Sequence, residues 1–91
     1  MRDIEKVIQS IVNTFRAVRV QQLTVPHPGV DDDGIWFFRQ PQSEFEVQIE
    51  SPKGMCPFLI ETDEHPKRIT ANSVDETIQK LTALLHLKPG V

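Results

Sequence analysis

The sequence predicts one α+β domain, a two-layer sandwich in which an antiparallel meander sheet of four to five strands carries an N-terminal and a C-terminal helix on one face. Three observations predict this fold. Apolar residues recur at helical spacing near both ends of the chain, short alternating segments fill its middle, and turn residues separate those segments. A chain of 91 residues is long enough for one hydrophobic core, so residues 1–91 are expected to form a single domain.

The first element is a helix that begins near Asp3. Its apolar residues lie on one face at the i, i+3, i+4, i+7 spacing. They are Ile4, Val7, Ile8, Ile11, Val12, Phe15 and Val18. The Asp3 carboxylate is expected to interact with the free N–H groups of the first turn. β-branched residues become frequent at 18–20, where we expect the helix to give way to a strand.

The middle of the chain contains four predicted strands, at residues 20–25, 35–39, 44–50 and 55–62, and an extended segment near 68–70 is the candidate for a fifth. The third alternates most clearly between apolar and charged residues. In the first, the apolar residues change phase, which predicts a bulge near Gln21 and Gln22. Proline and glycine residues between the segments predict turns.

The last element is a second helix. Ser73 and Glu76 have the spacing of a capping box, and Asn72 is the alternative cap. An apolar stripe follows, formed by Val74, Ile78, Leu81, Leu84 and Leu85. The helix is expected to end before residues 88–90, which are Lys-Pro-Gly.

The alternation predicts a strand register with two-residue turns at 41–42 and 52–53. The first turn pairs Arg39 with Glu44, and the second pairs Ile49 with Cys56. The residues that then face the helices are Trp36, Phe38, Phe45, Val47, Ile49, Cys56, Phe58 and Ile60. A bulge at Gly54 is the alternative, but it would turn Phe58 and Ile60 away from the core.

The face of the sheet that points away from the helices is the candidate binding site. Its predicted partner-binding residues are Ile35, Phe37, Glu44, Glu46, Gln48, Glu50, Leu59 and Glu61. Ile35, Phe37, Pro57 and Leu59 form an apolar strip on this face, and glutamate residues surround it. Such a surface favours binding of a partly basic protein. Three alternatives would cover the strip instead: the loop at 26–34, the C-terminal tail, or a second copy of the chain in a homodimer.

Charge and composition exclude several function classes. Ten basic residues oppose thirteen acidic ones, giving a net charge of −3, which disfavours nucleic-acid binding. No apolar run approaches the roughly 18 residues of a membrane span, and the N-terminus lacks the apolar segment of a signal peptide. A single cysteine allows no internal disulfide. We therefore expect a cytoplasmic protein with neither nucleic acid nor membrane as its partner.

The residues that could carry chemistry do not form a recognisable site. Asp31, Asp32 and Asp33 are consecutive, so they lack the alternation of a calcium loop. Cys56 falls in the inward set and is expected to be buried rather than nucleophilic. The three histidines are scattered along the chain without metal-ligand spacing. We expect no metal, no cofactor and no catalytic activity.

Three segments of the middle region carry a family resemblance: residues 34–38 (Gly-Ile-Trp-Phe-Phe), 47–51 (Val-Gln-Ile-Glu-Ser) and 56–61 (Cys-Pro-Phe-Leu-Ile-Glu). With a helix at each end, the chain resembles small bacterial immunity proteins of polymorphic or contact-delivered toxin systems. The resemblance implies a non-catalytic cytoplasmic protein that neutralises one cognate toxin by binding it. It assigns no individual binding residue, because such families use different surfaces.

Two other function classes remain open at this stage. The first is a small acidic dimer, similar to a secretion chaperone, that holds an extended polypeptide. The second is a small enzyme of unknown class, for which a pocket containing His27 or His65 beside carboxylates would be the sign.

Overall fold

The computed structural model describes residues 1–23, 34–41, 46–51, 53–62 and 67–87. It has two helices and a five-stranded antiparallel sheet, so the predicted α+β class is confirmed. The elements are α1 (Asp3–Thr14), β1 (Arg19–Gln22), β2 (Ile35–Arg39), β3 (Glu46–Glu50), β4 (Phe58–Thr62), β5 (Ile69–Ala71) and α2 (Val74–Leu84). No helix in the described part of the chain is long and apolar enough to cross a membrane.

The sheet is a meander, with spatial order β1-β2-β3-β4-β5 and every neighbouring pair antiparallel. β1 and β5 are therefore its two edges. At the β5 edge, Lys80 of α2 donates a 3.1 Å hydrogen bond from Nζ to the carbonyl oxygen of Thr70. This bond occupies a backbone acceptor on the edge strand.

One hydrophobic core lies between the sheet and the two helices. Its fully or nearly buried members are Ile4, Val7, Ile11, Val18, Trp36, Phe38, Val47, Ile49, Phe58, Ile60, Ala71, Leu81 and Leu85. Ile8, Phe15 and Ile78 pack against it and are half-buried. Because both helices contribute to the core and α1 contacts α2, both helices lie on one face of the sheet, as predicted. Phe45 lies outside the described residues.

The predicted register between the second and third strands is wrong by two residues. Arg39 pairs with Glu46 rather than Glu44, and Phe38 pairs with Val47. Six residues therefore separate the paired Arg39 and Glu46, where the turn expected at 41–42 left four between Arg39 and Glu44. An even shift preserves which side chains face the core, which explains why the inward set of β2 and β3 was correct despite the wrong pairing.

The predicted register between the third and fourth strands is wrong by four residues. Ile49 pairs with Ile60, not with Cys56. The Gly54 N–H donates to the Ser51 carbonyl oxygen at 3.3 Å, as the turn predicted at 52–53 requires. Residues 55–57 then extend the connection, so β4 begins at Phe58 instead of Met55. Ser51 is buried in that connection, and its hydroxyl donates to the Met55 carbonyl oxygen at 2.7 Å. Phe58 and Ile60 are buried in the core, so they are not turned away from it as a bulge at Gly54 would require.

Two further local predictions are corrected. The bulge expected near Gln21 and Gln22 is absent, because residues 19–22 pair one-to-one with β2. The helix α1 ends at Thr14, earlier than its apolar stripe suggested. Val18 is still buried in the core, but it reaches the core from the turn after the helix, where its N–H donates to the Phe15 carbonyl oxygen at 3.1 Å.

Candidate functional site

The outer face of the sheet is defined by alternate residues of the strands, and the register arranges them in rows. The central row contains Phe37 of β2, Gln48 of β3 and Glu61 of β4, and Arg68, which immediately precedes β5, lies beside Glu61. On β1 the same row begins with Gln21, which pairs with Phe37. Antiparallel pairing holds these side chains at fixed spacing, so the face is a preorganised surface.

A second row contains two further apolar residues of this face, Ile35 and Leu59. Ile35 pairs with Glu50, Glu50 pairs with Leu59, and Leu59 pairs with Thr70. Leu23 extends the row beyond β1, because its N–H donates to the Ile35 carbonyl oxygen at 2.8 Å. One carboxylate therefore lies between two aliphatic side chains.

The apolar residues of this face are separate from the core. Ile35, Phe37 and Leu59 are half-buried, and none of them belongs to the core cluster or packs against it. Neither α1 nor α2 packs over them, since both helices pack on the opposite side.

The charges of the face are arranged by strand. Glu46 and Glu50 of β3 and Glu61 of β4 form an acidic middle. Basic residues lie on both sides: Arg19 pairs with Arg39 on β1 and β2, and Arg68 forms an ion pair with Glu61. The described face is thus acidic only in its centre. A shallow open depression there is lined by Glu46, Gln48, Glu61 and Thr62.

Seven of the eight predicted binding residues share this face: Ile35, Phe37, Glu46, Gln48, Glu50, Leu59 and Glu61. Glu44 lies outside the described residues. The predicted register ended at the fourth strand, so it did not place Arg68 and Thr70 on the face; in the structure Thr70 pairs with Leu59, and Arg68 forms an ion pair with Glu61. It also did not identify Arg19, whose place opposite Arg39 follows from the regular β1–β2 pairing.

Cys56 lies in the connection before β4, half-buried against the core. Burial and the nearby Asp3 carboxylate raise the pKa of the thiol to about 11. The backbone N–H of Cys56 donates to Asp3 Oδ2 at 2.9 Å, and this bond lowers the pKa of Asp3. At neutral pH the cysteine is a neutral thiol, which is a weak nucleophile.

Within the described ranges, no group of three or more histidine, cysteine, aspartate and glutamate residues is arranged to hold a metal ion. His86 follows α2 with a positive φ of 56°. The acidic run at 31–33, His27 and His65 lie outside the described residues, as do the loop and the C-terminal tail that were alternatives for covering the strip.

The chain was compared with protein-family models, with curated proteins and with solved structures, and none of them matches it.

Proposed function

We propose that this protein is a non-catalytic binding domain that docks on a protein partner through the outer face of its sheet. One observation carries the proposal. Ile35, Phe37 and Leu59 share a face that neither helix packs against, and that face also holds three carboxylates. Apolar residues grouped within a polar surround are typical of protein interfaces.

The chemistry of the face favours binding over catalysis. Its carboxylates lie on a sheet face that no helix covers, and the depression described above is open to solvent. An active site needs a group held against the substrate in an enclosed environment. A flat rigid surface instead offers a partner contact area at little cost in ordering.

Within this function class, we propose toxin neutralisation as the biological role, with cytoplasmic location. The support is the resemblance to small bacterial immunity proteins. The three segments that carry it fall on or beside β2, β3 and β4, which are the three central strands; β2 and β4 supply Ile35, Phe37 and Leu59. A net charge of −3 suits a partner with a basic surface.

Differential capture from the source organism tests the proposal. The wild-type chain, Phe37→Ala and Met55→Ala are immobilised at equal density, and the bound proteins are quantified. Met55 is the matched apolar control, because it is 44% exposed and lies outside the sheet. We expect one protein to be retained by the wild type and by Met55→Ala and to be lost from Phe37→Ala. Equal capture by all three chains would reject the outer face as the binding site.

The toxin-neutralising role has its own test. The protein encoded beside this gene is expressed in a sensitive host with and without the chain, and growth is followed. We expect growth inhibition that the wild type relieves and Phe37→Ala relieves less. A partner found by capture whose activity the chain leaves unchanged would reject neutralisation and keep the binding function.

A further inference from the structure

The carboxylates of the outer face differ in what surrounds them. Glu61 forms an ion pair with Arg68, and Glu46 lies directly opposite Arg39. Glu50 has Ile35 on one side and Leu59 on the other. In the described part of the chain, no hydrogen bond or ion pair involves the Glu50 side chain.

Glu50 is half-buried between its two aliphatic neighbours. A carboxylate that is partly removed from water gains most from a cation that arrives with its own hydrogen-bond donors. Strands lie about 4.8 Å apart, so Ile35 and Leu59 are roughly 10 Å apart with Glu50 midway. A side chain from a partner that lies over Glu50 can therefore contact both aliphatic side chains.

A second copy of the chain does not supply this cation when two outer faces stack about a two-fold axis that runs along the strands. Such an axis places each cross-strand row of one copy over the same row of the other copy. The row that contains Glu50 has no basic residue; its members are Leu23, Ile35, Glu50, Leu59 and Thr70. Self-association about that axis would leave Glu50 without a counter-charge.

We infer that the partner presents an arginine or lysine side chain that lies between Ile35 and Leu59 and pairs with Glu50, an inference that rests on the proposed binding function. Only these side chains combine an aliphatic stem, which can cover Ile35 and Leu59, with a cation at its end. An apolar partner residue then packs on Phe37, two residues from Ile35 on the same strand. The partner is a protein surface with a basic residue beside an apolar one.

Peptide titration followed by amide NMR tests the inference. The probes are two extended six-residue peptides, one alternating arginine and valine and the other alternating glutamate and valine. They are titrated into the wild type, Glu50→Gln and Asp75→Asn. Asp75 is an exposed carboxylate on α2, so the two variants carry the same net charge and non-specific attraction is matched.

We expect the arginine peptide to shift the amides of β2, β3 and β4, and Glu50→Gln to weaken its binding about tenfold while Asp75→Asn stays within twofold of the wild type. The glutamate peptide should cause no such shifts. Equal weakening by both variants, shifts confined to the helices, or no shifts at millimolar peptide would overturn the inference. A wild-type dimer in sedimentation that Phe37→Ala dissociates would also overturn it, since a second copy would then occupy the face.

Adding Glu50→Gln to the capture experiment separates this inference from the function it rests on. A partner lost from both Phe37→Ala and Glu50→Gln supports both proposals. A partner lost from Phe37→Ala and retained by Glu50→Gln keeps the binding function and rejects the basic side chain at Glu50. A pattern of capture that none of the variants changes rejects the binding face itself.

Discussion

At the scale of single residues, the connection between β3 and β4 forms hydrogen bonds with the first turn of α1. The Ile4 N–H donates to the Gly54 carbonyl oxygen at 2.9 Å, and Asp3 accepts from Cys56 N–H. The cap residue Arg2 makes no side-chain cap bond, so these long-range contacts replace the local cap that sequence reasoning expected at Asp3. Their partners are 50 residues or more away, which is why the local pattern did not predict them.

The Asp3 contact makes the stability of the fold dependent on pH. Its pKa is lower in the folded chain than the roughly 3.9 of an unperturbed aspartate, so its stabilisation is present above that value and is lost as the pH falls through the folded-state pKa. We expect Asp3→Asn to have a smaller fall in unfolding free energy between pH 6 and pH 3 than the wild type. Urea denaturation across that range measures it. Asp75→Asn is the control, and an identical effect of both variants would contradict the assignment.

Gly54 is the residue of the connection that tolerates no side chain. Its φ is +70°, and a Cβ there would lie 2.9 Å from Ile4 Cγ2. We expect Gly54→Ala to lower the unfolding free energy by about 1–3 kcal/mol, because it adds both backbone strain and a clash. Denaturant titration measures the loss. Lys53→Ala, an exposed neighbour, should change little, and an unchanged Gly54→Ala would show that α1 can shift away freely.

At the scale of elements, the sequence predicted best where the determinants are local. The start of α2 is an example: Ser73 Oγ accepts from Glu76 N–H at 3.0 Å, and Glu76 Oε1 accepts from Asn72 N–H at 3.0 Å. The buried Thr77 hydroxyl donates to the Ser73 carbonyl oxygen at 2.7 Å. The predicted cap at Ser73 is confirmed, but the Glu76 carboxylate accepts from the Asn72 N–H and not from the Ser73 N–H that a capping box would use.

The cap gives a prediction with a matched neighbour. Ser73→Ala leaves the Glu76 N–H without its acceptor and should lower stability by about 0.5–2 kcal/mol. Asn72→Ala keeps the backbone N–H that Glu76 uses, so it should stay within about 0.5 kcal/mol of the wild type. Thermal unfolding of the two variants compares them. A larger loss of stability for Asn72→Ala than for Ser73→Ala would mean that Asn72, and not Ser73, is the cap.

Strand pairing was predicted less well than strand identity, for a physical reason. Alternation fixes which face a residue occupies, and shifts of two or four residues leave that face unchanged. Trp36, Phe38 and Ile49 were therefore placed correctly in the core, while their partners were not. The length of a connection depends on long-range contacts, such as those of 51–57 with α1, that proline and glycine spacing does not report.

At the scale of the whole molecule, the sheet separates two apolar surfaces with different roles. Phe38 is fully buried beneath the helices, while its neighbour Phe37 is half-buried on the outer face. The sequence predicted this division from alternation alone. It did not predict how the charges balance, since the ion pair of Glu61 and the position of Glu50 between Ile35 and Leu59 depend on the true register.

A pair of adjacent phenylalanines tests the division directly. Phe38→Ala should cost about 3–5 kcal/mol through lost burial and a cavity, which approaches the whole stability of a small domain. Phe37→Ala should cost about 1 kcal/mol or less, because it removes cross-strand contacts only. Urea denaturation of both variants measures the difference. Equal losses would mean that Phe37 is covered in the folded chain and is not available to a partner.

The contacts between α1 and the connection at 51–57 also set an order of events during synthesis. Asp3 leaves the ribosome 53 residues before Cys56, an interval of about 3–10 s at roughly 5–20 residues per second. For that time the apolar side of α1 has neither its sheet nor the hydrogen bonds that hold its first turn. A nascent chain halted before β4 should therefore expose Ile4, Val7 and Ile11 to chaperones and proteases, and protection of the N-terminus should appear only once the fourth strand has been made.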